Sequence, residues 1–540
     1  MSAAAPPLEH RFARPFAGAG DRLATWAGAK LGVKPVAVDL APRPLLDATG
    51  EPRAVRSAVV VGGGLAGATA ALRLAEAGLP VTLLEQSDYL GGKLGAWQST
   101  IDGGCEVTVE HGFHGFFLQY YNLYRLLGDV GAPLEDFPLI DDYVITAADG
   151  RSEGIRPYPR VPPFNVLAMA LRSPFMNLRE ARRMRDFPLL RDAFLNFDMA
   201  ETWARYDGMS FAELTRRIGL DGTGFDVVFK VFGHSFFSEA SEVSAAEIVK
   251  NFHFFFFANP ESLLFRYCRT DFERAIWSRV RARFAAHGGV VELGARVARL
   301  EPCGAGFAAI TSDGRRFTGD VAVLAVDPAG LRAIRDASPA LLAASPALAR
   351  ALAVIPDPRP YAILRLWLDR DCARERSAFT SVHGHAPLDS ITVYHRLEEE
   401  SVRYARETGG GVFELHAYTP AAALARDPDG LERALRERMD AVFPELAGAA
   451  VRGRVRQVRW DFPSHPVGAG GDRLETVSAL PGLFFAGDFV RLPIPAALME
   501  AAVVSGTLAA NAIRPALGAS PVPLWSVPPR GVLRRERAAA

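Results

Sequence analysis

A chain of 540 residues, 49% of them hydrophobic, can bury a large core and exceeds one ordinary single-core domain, so two domains are expected. Lys plus Arg and Asp plus Glu each number 61, which leaves no net charge and none of the basic field that nucleic-acid binding requires. Cys105, Cys268, Cys303 and Cys372 are scattered without a CxxC pair, so they support neither a zinc site nor a disulfide framework and fit a reducing, cytoplasmic compartment.

Residues 1–54 are rich in Ala, Pro and Arg, lack the apolar core of a signal peptide and read as an N-terminal extension. No apolar run approaches the ~20 residues of a membrane span. The first strong element is Ala58-Val59-Val60-Val61, an apolar run expected as a buried parallel strand. It breaks into Gly62-x-Gly64-x-x-Gly67 and then an alanine-rich helix expected over Ala68–Gly78, followed by a second strand, Val81–Leu84, that ends at Glu85. Gly62 permits a tight turn, Gly64 lets backbone approach a pyrophosphate, and Gly67 lets helix and strand pack closely. The helix N-terminus, including Leu65 and Ala66, offers unpaired N–H groups to phosphate. Glu85 stands where a carboxylate accepts the hydroxyls of an adenosine ribose and repels a 2′-phosphate.

Further along, three stretches are unusually aromatic: 110–117, with His111, Phe113, His114, Phe116 and Phe117; 231–237; and 251–257. Any one of these phenylalanines is first a core residue. Together, 34 Phe against 12 Tyr favour an apolar tunnel over a polar pocket. His111, His114, His234 and His253 make no metal-binding helix motif, and no metal is expected. Between the first two stretches, residues 161–191 place Val161, Phe164, Val166, Leu167, Met169, Leu171, Phe175, Met176 and Leu178 beside Arg172, Arg179, Arg182, Arg183, Arg185 and Arg191. Apolar residues next to a cationic stretch suit peripheral contact with a membrane surface, and they equally suit a solvated helix over a core strip.

Strands are expected at Gly289–Leu293, Ala295–Leu300, Asp320–Ala325, Tyr361–Leu368 and Gly411–Tyr418. Near the end, Leu483-Phe484-Phe485-Ala486-Gly487-Asp488 reads as a strand running into a turn, and a helix is expected over Ala496–Ile513. Its N-terminus suits the negative charge that a reduced flavin carries, and Asp488 suits a ribityl hydroxyl.

Gly62 to Gly67, Glu85, Gly91-Gly92-Lys93, Gly487-Asp488 and Met499-Glu500 together resemble the amine-oxidase/phytoene-desaturase superfamily of FAD enzymes. Many relatives have Arg at the position of Lys93, which keeps the charge and loses the bidentate geometry. Residues 112–123, 236–247 and 487–500 are most similar to bacterial carotenoid desaturases of the isorenieratene-synthase (β-carotene desaturase/methyltransferase) branch. The resemblance implies non-covalent FAD in a discontinuous Rossmann-like α/β domain over 55–125, 280–332 and 478–515. It implies a second α+β substrate domain over 126–279 and 333–477, with 516–540 as a C-terminal tail. It also implies a backbone contact from Val297 to adenine, flavin contacts near Met499, and passage of His111 and His114 close to the flavin ring, which makes those two the candidate catalytic residues.

The implied activity is an FAD-dependent oxidoreductase acting on a carotenoid or related isoprenoid, by hydride transfer to flavin N5, with ring aromatisation and a methyl shift in the isorenieratene branch. Such an enzyme would be cytoplasmic and peripherally attached to the membrane that stores its substrate. Two alternatives stay open: a flavin oxidase of a squalene derivative, porphyrinogen or amine, and a non-catalytic prenyl-binding escort protein. Nothing in the sequence bears on the oligomeric state.

Overall fold

The computed structural model describes residues 32–40, 45, 53–102, 104–140, 142–156, 158–159, 161–162, 164–175, 182–220, 222, 227, 233–234, 236–260 and 264–533. Five parallel strands form one sheet in the order Val290–Glu292, Val81–Leu84, Ala58–Val61, Val321–Leu324 and Leu483–Phe485. The central strand Ala58–Val61 and its neighbour Val321–Leu324 are buried throughout, as a sheet covered on both faces demands. An antiparallel sheet of Val297–Cys303, Gly306–Thr311 and Arg316–Gly319 caps one side.

The helix after the glycine motif is Leu65–Ala75, three residues earlier than its composition suggests. Gly62, at φ +104°, turns the chain so sharply that the helix follows Gly64 at once. The late helix is Leu498–Ile513, starting two residues after the expected Ala496. The two helices pack closely: a Cβ on Gly506 would collide with the Ala66 carbonyl oxygen.

The second layer system is a seven-stranded sheet in the order Val451–Phe462, Arg359–Leu368, Gly411–Ala417, Ser390–Val393, Phe379–His383, Val144–Ala147 and Ser152–Gly154. All its pairings are antiparallel except Phe379–His383 with Val144–Ala147. Helix Pro428–Val442 packs on it through Leu431, Leu435 and Met439. Helices between 187 and 286 instead join the core of the parallel sheet, among them Ala245–Phe252, which continues as a π-type turn over His253–Phe257. The architecture is α/β, a parallel sheet with helices Leu65–Ala75 and Leu498–Ile513 on one face and the three-stranded sheet against the other, joined to an α+β unit.

The N-terminal extension and the C-terminal tail, expected as separate appendages, meet. Val36–Val38 pairs antiparallel with Leu524–Ser526. Val38 and Leu524 pack on Ala501 and Val504 of the late helix, so apolar burial holds both ends against the core. Among the described residues, no helix is long and apolar enough to cross a membrane.

Candidate active site

A single cavity of about 490 Å³ runs from the glycine motif into the aromatic stretches. At one end lie Gly62, Gly64, Leu65, Ala66, Glu85 and Val297. A Cβ on Gly62 would stand 2.6 Å from the Ala325 carbonyl oxygen, and one on Gly67 would collide with the Gly62 carbonyl oxygen. Gly67 thus serves helix–strand packing and is absent from the cavity wall. Gly64 differs: its Cβ would meet nothing nearer than 3.8 Å, because that direction opens into the cavity. This is a cradle that a side chain would fill, bordered by the free N–H groups of a helix start, and it fits a pyrophosphate. Glu85 is buried with its carboxylate fixed: Oε2 accepts from the Gly63 N–H at 2.7 Å and Oε1 from the Ser87 N–H at 2.8 Å.

The middle of the cavity is walled by Gly91, Gly92, Lys93, Gly487, Asp488 and Met499. Gly92 packs against Gly64, where its Cβ would stand 3.3 Å from the Gly64 Cα. Lys93 Nζ donates to Asp488 Oδ2 at 2.5 Å and lies 4.3 Å from the centre of the Phe462 ring. The expected pyrophosphate contact of Lys93 and ribityl contact of Asp488 therefore converge on one ion pair. Glu500, quoted above only as part of a fingerprint, is a buried anchor. Its carboxylate accepts from the Asn122 N–H (3.0 Å), the Asn122 Nδ2 (2.6 Å) and the Leu123 N–H (3.0 Å) at the start of helix Tyr121–Asp129. Burial pushes its pKa up to about 7, against those hydrogen bonds.

The far end is aromatic. Phe113 stacks on Phe379 with centroids 5.3 Å apart, Phe117 meets Phe255 edge-on at 4.8 Å, and Phe237 stacks on Phe462 at 3.6 Å. The expected tunnel residues divide: Phe113, Phe117, Phe236, Phe237, Phe255 and Phe256 line the cavity, whereas Phe116, Phe252 and Phe254 are core. Phe232 lies outside the described residues.

His111 and His114 both line the cavity. His111 Nε2 is 3.2 Å from Asp461 Oδ2, and the Tyr361 hydroxyl contacts the same ring at 2.7 Å. Burial lowers the pKa of His111 despite Asp461. His114 donates from Nδ1 to the Gly112 carbonyl at 2.8 Å, and burial lowers its pKa to about 4. His234 and His253 do other work. His234 Nδ1 pairs with Asp389 Oδ1 at 3.1 Å; His253 stacks on Phe197 at 4.0 Å and bonds the Pro528 carbonyl at 2.7 Å. Among the described residues, no three His, Cys, Asp or Glu side chains group as a metal site.

Sequence reasoning missed a buried cluster behind His111. Glu414 Oε2 accepts from Arg365 Nε at 2.8 Å, and Glu414 Oε1 is 2.7 Å from His416 Nε2. Burial opposes the charge on Glu414, but Arg365 outweighs it and holds the carboxyl down to about 2. Glu110, 3.8 Å from Arg365, is pushed up to about 8 by burial. The signal was present: Arg365 stands inside Ile363–Leu368 and Glu414 inside Val412–Leu415, charged residues in otherwise apolar strands.

Helix Phe164–Arg172 forms the outer edge of this end. Met169 reaches the cavity wall, while Phe164, Leu167 and Leu171 are 37%, 55% and 85% exposed. Val161 and Phe175 are buried. Arg172, Arg182, Arg183, Arg185 and Arg191 are exposed, as is Phe187. Met176, Leu178 and Arg179, and the side chain of Val166, lie outside the described residues.

Residues 65–514 match the family described as flavin containing amine oxidoreductase. A carotenoid phi-ring synthase of Streptomyces griseus is 36% identical over 495 residues, covering 91% of this chain and 94% of that protein. A carotenoid phi-ring synthase of Chlorobaculum tepidum is 28% identical over 593 residues, covering 88% and 91%. Among solved structures, cyclohexylamine oxidase from Brevibacterium oxydans superposes with a TM-score of 0.61 over 86% of this chain and all of that one, at 16% identity, a likeness of fold alone. The cradle at Gly64 and the fixed carboxylate of Glu85 suit the dinucleotide that this family uses. The chain belongs to the flavin-containing amine oxidoreductase family and is an FAD-dependent oxidoreductase.

Proposed function

We propose that this enzyme oxidises the cyclic end group of a carotenoid, desaturating the ring and aromatising it with a methyl shift. The observation that carries this reading is the continuity of the cavity, from a nucleotide cradle at Gly64 and Glu85 to an aromatic chamber at Phe113, Phe255 and Phe379. The similarity of almost the whole chain to two carotenoid phi-ring synthases supports it. The same reading divides the chain into cofactor segments 55–125, 280–332 and 478–515 and substrate segments 126–279 and 333–477.

Bound FAD supplies a two-electron acceptor for a hydride from the ring. Residues of the chain do the rest. Backbone at Gly62, Gly64, Leu65 and Ala66 holds the pyrophosphate, with Gly67 setting the helix in place. Glu85 takes the ribose hydroxyls, backbone at Val297 the adenine, and Gly91, Gly92, Lys93, Gly487, Asp488 and Met499 the rest of the cofactor. His111 and His114 stand between cofactor and chamber. Burial keeps His114 neutral, so that part of the wall adds no charge beside a cationic polyene. The aromatic lining excludes water and orients the chain of the substrate.

A hydrocarbon of this kind resides in a bilayer, favoured by ~0.8 kcal/mol per CH₂. Helix Phe164–Arg172 and the exposed arginines after it are the proposed lipid contact, with Met169 marking the way in. The deciding experiment is pigment chromatography after expression in cells that make different carotenes. A new aromatic-ring carotenoid is the expected product; unchanged carotenes in a flavin-replete strain would overturn the reading.

A further inference from the structure

Glu414 and His416 lie two residues apart on strand Gly411–Ala417, hence on one face of the sheet. Glu414 is saturated with donors: the Phe113 N–H at 2.7 Å, Arg365 Nε at 2.8 Å and His416 Nε2 at 2.7 Å. Held ionised, this carboxylate only accepts hydrogen bonds, so His416 carries its proton on Nε2. Nδ1 of His416 is then a bare lone pair, and it has no hydrogen-bond partner among the described residues. The ring lines the cavity beside Gly112, where a Cβ would stand 3.3 Å from His416 Cε1.

The other two histidines of the wall lack this arrangement. Among the described residues, no carboxylate is hydrogen-bonded to His114. His111 has Asp461, but its ring is also engaged by Tyr361, and Arg459 and Lys93 oppose a further positive charge. A proton arriving at His416 Nδ1 is instead balanced by Glu414.

We propose that His416 is the proton acceptor for ring oxidation and that Glu414 is the positioning residue that fixes its tautomer and balances its charge. This rests on the carotenoid reading above. At each dehydrogenation a hydride leaves one ring carbon for the flavin, and the neighbouring carbon gives its proton to His416 Nδ1. The bond pair left behind becomes the new C=C bond. In the step that moves the methyl, a hydride leaves the allylic carbon beside the quaternary one. The methyl crosses to it with its bond pair, and the proton remaining on the carbon that receives it goes to His416, which completes the arene. Each ring thus gives up two hydrides and two protons, one of each per turnover; between the two an external two-electron acceptor would reoxidise the cofactor and His416 would release its proton to solvent.

The ionisable groups around His416 are Glu414 on its own strand, Tyr418 just beyond the strand's end, and Arg365 and Tyr361 on the paired strand. His111 and His114 face it from the segment around Gly112, and Asp389 donates its backbone N–H to the His416 carbonyl. Glu110 lies behind Arg365.

Anaerobic bleaching of the holoenzyme flavin by a carotene with unoxidised six-membered end rings reads the first dehydrogenation. His416→Gln should keep its FAD content and melting temperature and bleach about 100-fold more slowly, the scale of a lost general base. Added imidazole should restore part of the rate to His416→Ala. In the parent the rate should fall about tenfold per pH unit once acid protonates a single group, and the His416→Gln profile should lose that limb. Bleaching of flavin-replete His416→Gln at the parental rate overturns the proposal. So does a flavin-replete His416→Ala variant whose rate added imidazole leaves unchanged. A parent that no carotene bleaches fails earlier, at the substrate reading, and takes the proposal with it.

Discussion

Lys93 Nζ and Asp488 Oδ2 lie 2.5 Å apart although 395 residues separate them in the chain. The pair joins the segment after the first double glycine to the turn after the last parallel strand, at mid-cavity. Both side chains are largely buried, so removing one strands the other. Lys93→Met and Asp488→Asn should each weaken FAD binding by about 10- to 100-fold, the range of a hydrogen bond to a charged group. The double variant should lose less than the two combined, since neither charge is then left alone. Flavin fluorescence titration measures all three.

Two of the motif glycines should fail in different ways. Gly64→Ala adds a methyl where there is only cavity, so the protein should fold and melt normally while losing FAD. Gly67→Ala drives a methyl into the Gly62 carbonyl oxygen between helix and strand, so stability should fall together with FAD content. Calorimetry beside flavin absorbance separates the two; equal melting temperatures would contradict the packing assigned to Gly67.

The parallel sheet, the glycine turn and the returning strand at Leu483–Phe485 were legible because buried parallel strands are continuous apolar runs and their turns have few alternatives. The wall opposite was not. His416 meets Glu414 within one strand, but what makes the pair matter is Arg365, 49 residues earlier and opposite Glu414 in the register. Asp461 reaches His111 across 350 residues. Such pairings depend on strand order in the seven-stranded sheet, which no local pattern encodes. Glu500 shows the converse: its place in a cofactor fingerprint was visible, and its work of capping helix Tyr121–Asp129 was not, because that helix lies 378 residues upstream.

Membrane attachment through helix Phe164–Arg172 predicts a divided response. Leu167→Asp with Leu171→Asp places two charges on the exposed stripe and should abolish co-sedimentation with vesicles of any charge. Replacing Arg182, Arg183 and Arg185 with Gln should weaken binding to anionic vesicles alone, by about 1 kcal/mol per residue. FAD content should be unchanged in both. Retained sedimentation of the double aspartate variant would place the lipid contact elsewhere.

Glu110 makes stability depend on pH in a direction opposite to that of an ordinary paired carboxylate. It is fully enclosed, its Oε1 has no hydrogen-bond partner among the described residues, and Arg365, 3.8 Å away, is already engaged by Glu414. Burial therefore pushes its pKa up to about 8 from a model-peptide value near 4.5. Between those values the folded protein holds a proton that the unfolded chain has released. The stabilisation is complete below about pH 4.5 and disappears as pH rises through 8. Glu110→Gln keeps the shape of the protonated acid and cannot ionise. The variant should match the parent near pH 5, where the buried acid is neutral. It should then exceed the parent by a few degrees in melting temperature near pH 9, where the parent must bury a charge or open. Glu500, raised to about 7, contributes in the same sense, so the parent curve should fall across both intervals and the variant should keep only the earlier one. Melting curves from pH 5 to 9 decide it. A variant that loses stability toward alkaline pH as steeply as the parent would show that Glu110 is ionised at neutral pH, paired with Arg365 more tightly than their separation indicates.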